Sequence, residues 1–169
     1  MERANWVKAL KHYLLVALIF LLQFIFADKC RLFGVAPNFA LSFVLTVSFL
    51  KKQNYSFQSA LILGILLDGV SGRMFGAFTL LFMAIAFGIR EFYHSAFSEN
   101  FIIEAFYGLV ACFIASICSA FFISLYRGEF LALVSRTAWI EFLYNYVIFL
   151  VMLFIQKKFT KKRRSVFRI

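Results

Sequence analysis

Two aspartates, Asp28 and Asp68, and two histidines, His12 and His94, are where acid–base or metal chemistry in this 169-residue chain would have to begin. A peptidase of the intramembrane aspartyl kind needs two aspartates that converge on one site. Asp28 stands in a polar break unrelated to Asp68, so the sequence offers no such pair. Both histidines fall at the ends of apolar runs, with no acidic or cysteine partner at ligand spacing. There is no G-x-S-x-G elbow, no phosphate-binding glycine loop and no metal cluster in the sequence. Cys30, Cys112 and Cys118 make an odd set. Cys112 and Cys118 share one predicted helix at a spacing that points them to different faces, so they read as small packing residues. The sequence therefore predicts no enzyme, no cofactor and no metal site.

What the chain does have is acidic residues inside apolar runs, where a charge is costly and turns inward. Asp68, Glu104 and Glu141 qualify. Glu104 opens its run and reads as a helix-start carboxylate, favoured by the helix dipole. Asp68 closes its run, where the dipole opposes an anion, so a partner must offset it. Gly64, Asp68 and Ser71 follow i, i+4, i+7 spacing and share a face. Gly72 and Gly76 then permit a tight turn. Glu141 lies about one turn into the last run, and Asn145 one turn deeper on the same face. Arg136 precedes that run, and Arg73 follows Asp68. Asp68, Arg73, Arg136, Glu141 and Asn145 are expected to form an interior polar cluster tying the turn after Asp68 to the last run. Two other readings stay open: charges that only mark the ends of spans, and a site for a small molecule or lipid.

The elements that must hold these residues are helices in a bilayer. The chain is 63% apolar, 20% aromatic and 15% charged, against roughly 25% charged for soluble domains. Six apolar runs cover about 13–27, 35–50, 57–70, 75–89, 102–126 and 138–156, and residues 1–169 read as one membrane domain. Lys8 and Lys11 before the first run resemble a signal peptide, but Ile25-Phe26-Ala27-Asp28 lacks a small residue three before a cut, so that run reads as a retained span. Pro37 suits the first turn of the second. The third is short, and spans 3 and 4 read either as two true spans or as a re-entrant pair. In span 5, Gly108, Ala111, Ala115 and Ser119 make a small-residue stripe for close helix packing.

Thirteen of the 18 Lys and Arg fall in alternate breaks: Arg3, Lys8 and Lys11; Lys51 and Lys52; Arg90; and Lys157, Lys158, Lys161, Lys162, Arg163, Arg164 and Arg168. Only Lys29, Arg31, Arg73, Arg127 and Arg136 fall on the other side. That sorting predicts an all-α protein with six transmembrane helices in one bundle and both termini in the cytoplasm. The tail 157–169 is expected to be a basic cytoplasmic segment that touches anionic lipid rather than nucleic acid.

The stretch from Leu61 to Gly76, with Gly64, Asp68, Ser71, Gly72 and Gly76 in order, resembles the signature of MreD, the bacterial rod shape-determining membrane protein family. The entry Val35-Ala36-Pro37-Asn38 is similar to that family's Pro-Asp or Pro-Asn start. The resemblance implies a non-enzymatic component of the cell-elongation machinery in the bacterial cytoplasmic (inner) membrane. It implies a fold similar to the S components of energy-coupling-factor transporters. It also implies work beside MreC, a single-span protein, with links to MreB, to the glycosyltransferase RodA and to a class B penicillin-binding transpeptidase in peptidoglycan synthesis. By motif position Pro37, Gly64, Asp68, Ser71, Gly72 and Gly76 inherit the family's marked sites, read here as shape-setting residues. The leading expectation is a membrane scaffold; the alternative is a solute-binding subunit of a transporter, which would need a polar pocket around Asp68, Glu141 and Asn145.

Overall fold

The computed structural model describes residues 2–50, 53–71, 76–93, 100–127 and 136–166. The chain there is all-helical: α1 (Glu2–Phe26), α2 (Phe39–Leu50), α3 (Gln53–Ser71), α4 (Ala77–Gly88), a π-helical turn (Ile89–Tyr93), α5 (Phe101–Arg127) and α6 (Arg136–Val166). No sheet forms among the described residues; a single bridge joins Leu32 and Val35. Among the described residues, three stretches are long and apolar enough to cross a membrane: Ala9–Phe26, Phe101–Phe122 and Ala138–Lys158.

α2 is the axis of the bundle. Its sequence, FALSFVLTVSFL, is apolar on every side, the pattern of a helix buried all round. Every residue from Ala40 to Phe49 is buried, and α2 packs on each of the other five helices. Its three hydroxyl residues are satisfied within the helix or at its end. Ser42 donates to the Asn38 carbonyl, Thr46 to that of Ser42 and Ser48 to that of Val44. Such back-bonding suits a helix with no water beside it. Phe82, Phe149, Leu63 and Leu153 close around it, all fully buried.

The long helices form the rim and turn apolar side chains outward. On α1, Leu10, Leu14, Leu18 and Leu21 are exposed, while Val16 and Ile19 face α2 and α3. On α5, Gly108, Ala111 and Ala115 are buried and Ser119 is half-buried, so the small-residue stripe is a packing face. Exposed Phe106, Val110, Ile114, Ile117 and Phe121 cover its opposite side. A surface this apolar belongs in hydrocarbon.

Two boundaries differ from the sequence reading. Helix α2 starts at Phe39, not near Val35, because Leu32 and Val35 exchange backbone hydrogen bonds at 3.0 and 2.9 Å across a turn. Pro37 therefore sits just outside the helix rather than in its first turn. Helix α6 runs on to Val166, so most of the expected basic tail continues the last helix.

Candidate functional site

The turn between α3 and α4 is built from the motif residues. Gly64 lies where α3 touches α4: a Cβ there would come within 2.5 Å of the Thr79 Cα. One turn further along the same face, Asp68 is 2% exposed and reaches the start of α4. Its Oδ1 accepts from the Phe78 N–H at 2.9 Å, and its Oδ2 from the Thr79 N–H at 3.0 Å and the Thr79 hydroxyl at 2.6 Å. Gly76 occupies the N-cap position of α4 with φ 95°, a left-handed conformation that only glycine adopts freely, and no side chain caps the helix locally. Asp68 thus caps α4 from the preceding helix. Its anion lies at the unfavourable end of α3 but at the favourable end of α4, which resolves the sequence puzzle. Ser71 donates to the Asp68 carbonyl at 3.2 Å and closes the last turn of α3.

A second polar set ties α1, α2 and α6. Asn38 caps α2, its Oδ1 accepting from the Leu41 N–H at 2.9 Å. The Asn38 N–H donates to Asn145 Oδ1 on α6 at 2.8 Å, and the single Ser42 hydroxyl proton is shared between the Asn38 and Asn145 carbonyls, each at 3.3 Å. Gln23 of α1 accepts from the Phe39 N–H at 2.7 Å and donates to the Pro37 carbonyl at 3.0 Å. The first N–H groups of α2 are thereby matched by Gln23 of α1 and by the Asn38 cap, whose own N–H is held by α6.

A third set lies at the opposite end of the bundle, and it is the most heavily buried charge of the molecule's described part. Glu104 is 0% exposed. Its Oε2 is 2.5 Å from Lys157 Nζ on α6, and its Oε1 accepts from the Tyr93 hydroxyl at 3.0 Å. The π-helical turn places Tyr93 inward, where its ring meets Phe49 and Tyr107 edge-on. Nearby on α1, His12 is buried with its Nε2 3.0 Å from the Ser59 hydroxyl of α3. Ser59 itself donates to the Tyr55 carbonyl, so its oxygen accepts from His12.

The residues expected to cluster are distributed differently. Asp68 serves the start of α4 and Asn145 the start of α2, so each answers a separate helix end. Glu141 is half-buried on α6, one turn before Asn145. Gly72, Arg73 and the Arg136 side chain lie outside the described residues. The sequence reading also missed Gln23 and Asn38, though Asn before an apolar run is a cap signal. It placed Glu104 at a helix start but did not find its partners. Tyr93, Glu104 and Lys157 flank breaks on the same charge-rich side, and that shared level was the available clue.

The two close approaches make a test. Gly64→Ala and Gly108→Ala are both expected to lower the melting temperature in detergent, since overpacking costs ~1–3 kcal/mol. A Cβ on Gly108 would lie 2.0 Å from the Phe149 ring, a side chain, whereas that on Gly64 meets Thr79 backbone. Phe149→Leu should therefore restore part of the loss in Gly108→Ala. Truncating Thr79 to alanine should not restore Gly64→Ala, because the nearest obstacle is main chain.

Among the described residues, the buried carboxylates and the polar side chains around α2 serve helix ends and helix–helix ties in a multi-helix membrane protein. The chain belongs to the MreD family of rod shape-determining proteins: the family profile described as rod shape-determining protein MreD matches residues 5–163. Neither a curated protein nor a solved structure matches the chain. Family membership makes it a non-enzymatic, multi-pass membrane protein with a role in determining rod shape.

Proposed function

We propose that this chain is a scaffold of the cell-elongation complex in the bacterial cytoplasmic membrane, crossing it six times with both termini inside. It holds a single-span MreC-like protein against its lipid-facing helices. Through that contact it positions RodA and a class B transpeptidase, with MreB filaments and anionic lipid at the basic end of α6. The observation that carries this reading is the filled interior: α2, with its own Phe43 and with Phe82 and Phe149 against it, occupies the centre of the bundle, which favours action through outer faces. The alternating charge supports six crossings. α3 has the length for a crossing, 19 residues or about 28 Å, while Gln53, Asn54, Gln58 and Asp68 keep it out of the three most apolar stretches. α2, 12 residues long, is packed against all five other helices, where irregular backbone at its ends is tolerated.

The competing reading, a solute-binding subunit, needs polar groups free to meet a solute. Asp68 and most of the α2 set are already engaged with helix ends. Affinity purification of the tagged full chain in mild detergent separates the two. Recovery of a single-span partner, with rounded cells on depletion, is the expected result. Recovery of a stoichiometric small molecule without a protein partner would overturn the scaffold.

A further inference from the structure

The segment between α1 and α2 holds a residue its backbone does not suit. Phe33 has φ 52°, the single positive value for a non-glycine residue among those described, and Gly34 follows with φ 86°. A two-residue turn with both central φ positive is the hairpin form that favours Asn-Gly, and an aromatic at its first position is strained. Phe33 is also 79% exposed; no large apolar side chain in the described residues is more so. Leu32 beside it is 51% exposed. The strained turn thus holds the Phe33 ring out from the chain.

The turn is firmly built. Arg31 donates to Asp28 Oδ1 through Nε and Nη2 at 3.1 and 2.7 Å. The Tyr144 hydroxyl donates to the Cys30 carbonyl at 2.8 Å, Gln23 holds the Pro37 carbonyl, and Ala27 and Val35 are buried. The tie to Tyr144 also fixes the depth. The apolar stretch of α6 begins at Ala138, and Tyr144 lies roughly 9 Å further along the helix. On the other side, the apolar stretch of α1 ends at Phe26. Trp139, 57% exposed, lies about 7.5 Å nearer the start of that stretch than Tyr144, where interfacial tryptophans sit. The turn thus lies at the edge of the hydrocarbon, not out in water. Lys29 and Arg31, both exposed, stand beside the two apolar side chains.

We propose that Leu32 and Phe33 form a wedge that inserts into the phospholipid interface at this end of the bundle, with Lys29 and Arg31 at the phosphate level. The ligand is the bilayer itself: acyl-chain edge for the apolar tip and headgroup phosphate for the cations. The inference does not depend on which partners the scaffold holds or on the orientation of the chain. It is tested on the full chain carrying Trp6→Phe and Trp139→Phe, with Phe33→Trp as the sole tryptophan, reconstituted alone in phosphatidylcholine–phosphatidylglycerol vesicles. Bromine placed high on the acyl chains should quench its fluorescence several-fold more than aqueous iodide does, with a blue-shifted emission. Leu32→Trp, in the same background, reads the same depth without touching the strained position. Strong iodide quenching of both probes, with little effect of brominated lipid, would overturn the proposal and is the result that a knob for a protein partner would give.

Discussion

Replacing Lys157 with methionine is expected to be among the most damaging single changes in this protein. It leaves the Glu104 carboxylate, 0% exposed, with only the Tyr93 hydroxyl. Removing one partner of a buried ion pair costs ~3–5 kcal/mol, because the remaining charge has lost its solvent and its counter-ion. The reverse change, Glu104→Gln, should be milder. The amide keeps an acceptor for Tyr93, and the Lys157 side chain, 26% exposed, can turn toward water. Joining Lys157→Met to Glu104→Gln should recover much of the loss, giving a strongly non-additive cycle. The measurement is melting of the purified chain in one detergent across the four variants. Equal losses for the two single changes, adding in the double, would show that the pair is not coupled. The expected non-additivity would make the end of α6 part of the core rather than a trailing charge.

Asp68→Ala is the second large effect. It removes three hydrogen bonds to an ionised acceptor and uncovers the first N–H groups of α4 in a buried place. Bonds of this kind contribute more than neutral ones, and a lost helix cap alone costs about 1 kcal/mol. A total of roughly 3 kcal/mol follows. Asp68→Asn should not rescue it. One oxygen can still accept, but the amide nitrogen then faces the second N–H donor, placing donor against donor. Thr79→Ala removes a single bond and should cost less than half as much. Protein level in membranes and melting in detergent both report the outcome. An Asn variant as stable as the wild type would mean that charge and double acceptance at this position are unimportant.

These residues show where sequence reading succeeds. Apolar runs located all six helices, since hydrophobic length and periodicity are local properties. The small stripe from Gly108 to Ser119 and the Gly64–Asp68–Ser71 face were legible for the same reason. The demand that Asp68 have a partner was legible too, because it follows from the dipole of its own helix. Its identity was not: charges in the sequence suggested Arg73 and Arg136, whose side chains lie outside the described residues, while the donors that meet the anion are the backbone N–H groups of Phe78 and Thr79. Main-chain donors carry no letter in a sequence. Glu104 and Lys157 are far apart along the chain, and their meeting depends on how α5 and α6 align, which no local pattern encodes. The start of α2 was misplaced because Val35 is as apolar as the helix it precedes, while the Asn38 cap and the Phe33-Gly34 turn decide the boundary.

The burial of α2 has a consequence for biogenesis. At 12 residues, about 18 Å, it is too short to partition alone into ~30 Å of hydrocarbon as a nascent chain leaves the ribosome. Its flanks Gln23 and Asn145 come from helices made before and long after it. Stable insertion of α2 must therefore wait until α6 has been synthesised, so the middle of this protein is completed last, and a chain truncated before Asn145 should be handed to membrane quality control.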